Sequence, residues 1–167
     1  MISLNYIYVG KFAGCHGLKG EIKLKTDFEY LDKILVKDFN FYIGIDKNKE
    51  ILINNRYHNG YYLMLFKDLD NIDKVSKYIN QKVYVLKENL NLDENELVYE
   101  DYIGLSCYYD NKLFGEVEDI VCYGGGNYVF SIKSDKEILI PFNKNFIDKV
   151  TSKEIYFRNL EGFFDED

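Results

Sequence analysis

The chain contains no tryptophan, one proline (Pro141) and three cysteines, Cys15, Cys107 and Cys122. The cysteines are odd in number, far apart and without a C-x-x-C pair. Neither a disulfide framework nor a zinc cluster follows, and a reducing cytoplasm is the expected compartment. Charged residues interrupt every apolar run, so no stretch is long enough to span a bilayer. Met1-Ile2-Ser3-Leu4-Asn5 has no basic segment leading into an apolar core, so no secretory signal is expected.

What is present points to a packed β protein. The 167 residues leave room for one domain or two small ones. Hydrophobic residues make up 47%, which excludes disorder as the default. Tyrosine dominates the aromatics, 16 against 12 Phe, and a phenol suits a half-buried strand face. The net charge of −7 is unevenly spread. Residues 1–98 carry 14 basic and 14 acidic side chains, whereas 99–167 carry 7 basic and 14 acidic. An acidic C-terminal part argues against generic nucleic-acid binding there and suits either solubility or a basic protein partner.

Strand signals run through the chain. Tyr6-Ile7-Tyr8-Val9 is β-branched and aromatic, and Glu21-Ile22-Lys23-Leu24-Lys25 alternates, placing Ile22 and Leu24 on one face. Between them, Gly14-Cys15-His16-Gly17-Leu18-Lys19-Gly20 predicts a tight turn. Further strands are expected at 39–45, 51–56, 61–66 and 82–86. Ile72, Val75 and Ile79 repeat at helical spacing behind Asp70 or Asn71 as cap, which predicts the one helix. The polar, acidic stretch 87–98 reads as a linker. Beyond it, strands are expected at 103–109, 113–122, 128–132, 137–140 and 154–157. Turns at Asp110-Asn111-Lys112, Gly124-Gly125-Gly126-Asn127 and Ser134-Asp135-Lys136 separate them. Short antiparallel strands with one helix suggest two small barrels or sandwiches.

Three blocks, in order and at the right spacing, resemble the RimM family of ribosome maturation factors. The first is Val9-Gly10-Lys11-Phe12 with His16-Gly17-Leu18-Lys19-Gly20-Glu21-Ile22-Lys23-Leu24. The second is Arg56-Tyr57-His58 with Phe66-Lys67-Asp68-Leu69-Asp70-Asn71-Ile72-Asp73. The third comprises Asp101-Tyr102-Ile103-Gly104-Leu105, Gly115-Glu116-Val117-Glu118-Asp119-Ile120, Asn127-Tyr128-Val129-Phe130 and Leu139-Ile140-Pro141-Phe142. The resemblance implies a mainly β protein of two small barrels. A translation-factor-like barrel with one helix would occupy 1–86, followed by the linker 87–98 and a PRC barrel at 99–167. It also implies a non-enzymatic factor that binds the nineteenth small-subunit ribosomal protein, the small-subunit precursor and 16S rRNA. Such a factor promotes maturation of the 3′ head domain. No cofactor, metal or membrane partner is implied, and a monomer is expected. One departure stands out: the family's two adjacent tyrosines before the PRC barrel fall at Leu97 and Val98 here, with Tyr99 next.

Candidate sites follow from residue chemistry and from that resemblance. Tyrosine is favoured at interface centres, so Leu97, Val98, Tyr99 and Tyr102 are the expected partner-binding residues, with Tyr108 and Tyr109 close by. Residues 1–25 carry Lys11, Lys19, Lys23 and Lys25 against Glu21 alone, and glycines let backbone amides approach a phosphate. Lys11, His16, Gly17, Lys19, Gly20 and Lys23 are therefore the candidate RNA-facing residues. Cys15-His16 invites a nucleophile-and-base reading, but neighbours on a strand point apart and no orienting third group accompanies them. Gly124-Gly125-Gly126 lacks the Gly-Lys-Ser/Thr of a phosphate loop. Glu116, Glu118 and Asp119 read as an exposed strand face, and Asp165-Glu166-Asp167 as a solvated tail. The competing functions are a PRC-barrel accessory of a membrane electron-transfer complex and a cysteine-dependent enzyme.

Overall fold

The computed structural model describes residues 4–123 and 127–164. The triple-glycine turn at 124–126, the tail 165–167 and the first three residues lie outside it. The chain divides into two compact units, Met1–Asn91 and Leu92–Asp167.

The first unit contains β1 (Tyr6–His16), β2 (Glu21–Lys25), α1 (Leu31–Ile34), β3 (Asn40–Ile43), β4 (Asn48–His58) and β5 (Tyr61–Phe66). α2 (Ile72–Val75) and β6 (Lys82–Leu86) follow. The strands form a closed barrel in the order β1-β2-β5-β4-β3-β6. Tyr84 of β6 makes the closure, facing Tyr8 of β1 on one side and Tyr42 of β3 on the other. Alternation sends Ile22 and Leu24 inward, both fully buried, while Lys25 is exposed. Phe66 anchors the interior, edge-to-face with Phe12 at 6.0 Å and with Phe41 at 5.9 Å. Each such ring contributes roughly 2–3 kcal/mol by leaving water.

The second unit contains α3 (Tyr99–Tyr102), β7 (Ser106–Tyr109), β8 (Lys112–Cys122), β9 (Tyr128–Lys133), β10 (Ile138–Pro141), β11 (Ile147–Val150) and β12 (Glu154–Phe157). Its six strands are ordered β10-β9-β8-β7-β12-β11 around one core that includes Tyr102, Phe130, Ile132, Ile140 and Ile155. Most neighbours are antiparallel, but β12 pairs parallel with β7, Ile155 opposite Cys107. Pro141 ends the edge strand β10, where a missing N–H costs no ladder bond.

The mainly β architecture is as expected, with local differences. The one helix expected from Ile72, Val75 and Ile79 is a single α turn, α2, which runs on as a 3-10 turn at Ser76–Tyr78. It is joined by α1, α3 and a second 3-10 turn at Lys87–Leu90. Asn71, not Asp70, caps α2: its side chain accepts from the Lys74 amide at 3.0 Å. β1 reaches His16, so the glycine-rich turn shrinks to Gly17–Gly20. β11 and the parallel pair had no forecast. The stretch 87–98 is not uniformly a linker. Leu90 is 1% exposed within the first unit, and Val98 is 1% exposed within the second.

Candidate functional site

In the first unit, the β1–β2 turn is fixed rather than free. Gly17 has φ +69° and Gly20 φ +100°, conformations that L side chains rarely adopt. A Cβ on Gly20 would lie 2.2 Å from the Leu69 carbonyl oxygen. The Ile72 amide donates to Leu18 O at 3.0 Å, tying the turn to the start of α2. Beside the turn, His16 faces Glu21 across the ladder. Arg56 of β4 donates to both Glu21 carboxylate oxygens, from Nε at 2.9 Å and Nη2 at 3.0 Å. Those bonds hold the Glu21 carboxyl below its ordinary value, and the nearby His16 and His58 act in the same direction. The His16 and His58 rings meet at 4.9 Å.

The expected RNA-facing residues split into groups. His16, Gly17, Lys19 and Gly20 stay at the turn, where His16 and Lys19 join Glu21 and Arg56 around one shallow recess. Lys23 lies 5.6 Å from the Tyr61 ring as a cation–π pair. Lys11 sits elsewhere, at the middle of the barrel wall, directly opposite Lys25 on β2 and Lys82 on β6. Arg56, His58 and Lys82 were not singled out from the sequence. Only pairing brings them here, although Arg56-Tyr57-His58 had marked its strand.

Cys15 is half-buried, and burial pushes its thiol up. An activated nucleophile is shifted the other way. Burial likewise pushes the Cys107 thiol up to about 12. Among the described residues, no three His, Cys, Asp or Glu side chains converge as a metal group. Among the described residues, no helix is long and apolar enough to cross a membrane.

In the second unit, the expected partner-binding set needs correction. Tyr102 and Val98 are each 1% exposed. The reason is local. Tyr102 lies on α3 rather than on a strand, and that turn points its ring at Phe130, 5.6 Å away, and Phe142, 5.3 Å away. Leu97 donates its amide to Tyr102 Oη at 3.2 Å. Tyr99 is half-buried against Tyr128 at 4.9 Å and Phe142 at 4.7 Å. These four residues chiefly build the core.

A second half-buried aromatic pair, more open than Val98 and Tyr102, lies on the β7–β12 face. Tyr108 and Tyr156, neighbours in the parallel pair, stack at 5.1 Å with 20° between their planes. They border a groove that also draws in Asp110, Asp148 and Glu161. Glu161 and Asp110 help push the Tyr109 phenol up, after desolvation.

A barrel bearing exposed lysines and a clamped turn, followed in the chain by a sheet bearing an acidic, tyrosine-lined groove, defines a two-module β protein. The chain belongs to the RimM family. The RimM N-terminal domain matches residues 7–90 and the RimM PRC barrel domain residues 99–157. The ribosome maturation factor RimM of an Exiguobacterium species is 31% identical, covering 98% of this chain and 99% of its own. That of Clostridioides difficile is 34% identical over 90% of each. The solved RimM structure from Pseudomonas aeruginosa aligns with 92% of this chain and 96% of its own at 18% identity. Its TM-score of 0.48 is too low to add weight beside the sequence relatives.

Proposed function

We propose that this protein is a non-enzymatic assembly factor that binds the small ribosomal subunit precursor and promotes maturation of the 3′ head domain of 16S rRNA. Its partners are the nineteenth small-subunit ribosomal protein and the rRNA itself, and it acts in the cytoplasm as a monomer without a cofactor. The observation that carries this reading is the family match in both units, to relatives named ribosome maturation factor along nearly the whole chain.

Charge supports the division of labour. The first unit, 1–91, carries 14 basic against 11 acidic residues, and the second, 92–167, 7 basic against 17 acidic. Ribosomal proteins that pack on phosphate are basic, so the acidic unit is the complementary dock. The groove of Tyr108, Tyr156, Asp110, Asp148 and Glu161 takes that role in place of the buried Val98 and Tyr102. Leu97 and Tyr99, half-buried and packed against the core, contribute with the sides they leave open. RNA falls to the first barrel, with Lys11, His16, Gly17, Lys19, Gly20 and Lys23 as the starting set. Burial raises the Cys15 thiol, which makes it a poor nucleophile.

The test is sedimentation of the full chain with cell extracts. The protein should travel with small-subunit precursors. Travel with membranes, or with neither, would reject the assignment. The groove is tested by Asp110→Asn, Asp148→Asn and Glu161→Gln together. They should slow association with the nineteenth ribosomal protein and flatten its salt dependence.

A further inference from the structure

We propose that the outer wall of the first barrel, where β6, β1 and β2 run side by side, is a platform for single-stranded RNA. Lysines would hold its phosphates and tyrosines would stack its bases. This rests on the reading of the protein as an RNA-associated factor and assigns the RNA surface within it.

The platform starts from an unfavourable arrangement. Lys82, Lys11 and Lys25 stand directly opposite one another across three adjacent strands. Strands are spaced about 4.8 Å apart, so three positive charges cross roughly 10 Å of surface. All three side chains are exposed, while the flanking Phe12, Leu24 and Val83 are fully buried, so the rung lies on the outside. No ion pair among the described residues neutralises any of them. Like charges directly opposite on a sheet destabilise it. A polyanion relieves that cost.

The next rung is aromatic. Tyr8 faces Tyr84, their rings 5.9 Å apart, and Tyr84 is two residues along β6 from Lys82, on the same face. Tyr8 is 53% exposed. Lys47 lies 4.2 Å from the Tyr84 ring centroid and adds a cation to the same rung. Glu88 acts on Tyr42 at the border of this cluster.

A single irregularity joins the two rungs. Tyr8 and Lys11 are three residues apart, which on a regular strand would set them on opposite faces. The β1–β6 register shifts between Tyr8 and Gly10, and this bulge turns both outward. Gly10 also allows close passage of β2, since a Cβ there would lie 2.4 Å from Lys25 O. Exposed aromatic faces beside a track of cations are the means by which proteins hold single strands. A duplex hides its base faces and would use only the lysines.

The experiment uses the full chain and a fluorescent oligouridylate of about 12 nucleotides, titrated at several salt concentrations. Lys11→Gln, Lys25→Gln and Lys82→Gln together should weaken binding at least about tenfold. They should lower the slope of log affinity against log salt by about 2, as loss of three phosphate contacts requires. The corresponding Lys→Arg triple variant should keep the slope. Tyr8→Ala should weaken binding about tenfold with the slope unchanged. Unchanged slope and affinity in the Gln variant, or failure of the native chain to bind the oligonucleotide, overturns the proposal. Equal binding of a duplex of the same length, indifferent to Tyr8→Ala, overturns the single-strand assignment. If the native chain binds the oligonucleotide in this way but does not sediment with precursors, the platform stands and the ribosomal reading falls.

Discussion

Arg56 grips Glu21 with two hydrogen bonds, 2.9 and 3.0 Å, from a strand that does not neighbour the strand of Glu21. The pair bridges β4 and β2 across β5 beside the glycine turn. It is an exposed pair, with 53% of the Arg56 side chain accessible, so water screens most of its attraction. Glu21→Gln should lower Tm by no more than about 2 °C at neutral pH. The folded carboxyl lies below its ordinary value of 4.5, so the pair stabilises the fold above that value. That contribution should be lost as pH falls through the lower, folded value. Thermal melts of native and variant chains should therefore differ at pH 7 and converge in acid. A difference that instead grows in acid would contradict the assigned shift.

Gly20→Ala should destabilise the first barrel by about 2 kcal/mol or more, since it combines positive φ with a backbone clash at Leu69 O. Gly14 provides the internal control, because a Cβ there meets nothing within 4 Å. Gly14→Ala should change stability by under about 1 kcal/mol. Urea denaturation of the two variants gives the comparison. Equal losses would mean that the turn is not clamped as described.

Tyr102→Ala should cost about 3–5 kcal/mol in the second unit, because it empties a core position beside Phe130. Tyr108→Ala removes one ring of a surface stack and should leave the fold intact while speeding release of the nineteenth ribosomal protein. Circular dichroism and dissociation rates on the two variants separate the roles. Normal folding of Tyr102→Ala would return that residue to the list of surface anchors.

Mild proteolysis should cut between Asn91 and Asn95 and spare the flanks. Asn91, Asp93, Glu94 and Asn95 are exposed, whereas Leu90 and Val98 are sealed into their own units. Mass spectrometry of the first fragments locates the cut. Early cleavage at 87–90 would show that the 3-10 turn there is not held.

Local pattern carried much of this fold into the sequence. The strands Tyr61–Phe66, Lys82–Leu86 and Glu154–Phe157 could be read by composition, and the glycines marked the turn that Gly17 and Gly20 now make. What stayed hidden depends on pairing or on broken parity. Ile147–Val150 is a short strand whose register slips between Ile147 and Lys149, which erases its alternation. Tyr102 was expected at a surface, and the short helix α3, which no pattern announced, turns it inward. Lys82 lies 71 residues from Lys11 and meets it only when the barrel closes. The bulge that puts Tyr8 on the same side as Lys11 reverses the face a regular strand would assign. The acidic bias of the second unit was visible, but the groove that gathers Asp110, Asp148 and Glu161 needs three separate loops and strands to come together.

The position of β12 sets an order of events during synthesis. It is the final strand of the second unit in chain order, yet it lies inside the sheet, between β7 and β11. The first barrel has every strand it needs once Leu86 has emerged from the ribosome. The second cannot close its ladder until Phe157 has followed. In that interval β7 and β11 present unpaired backbone, the kind of edge that recruits other chains. A nascent chain stalled before Glu154 would thus carry a finished barrel, a four-stranded sheet that ends at a bare β7 and a β11 with no strand to join, and it should be the species most in need of a chaperone.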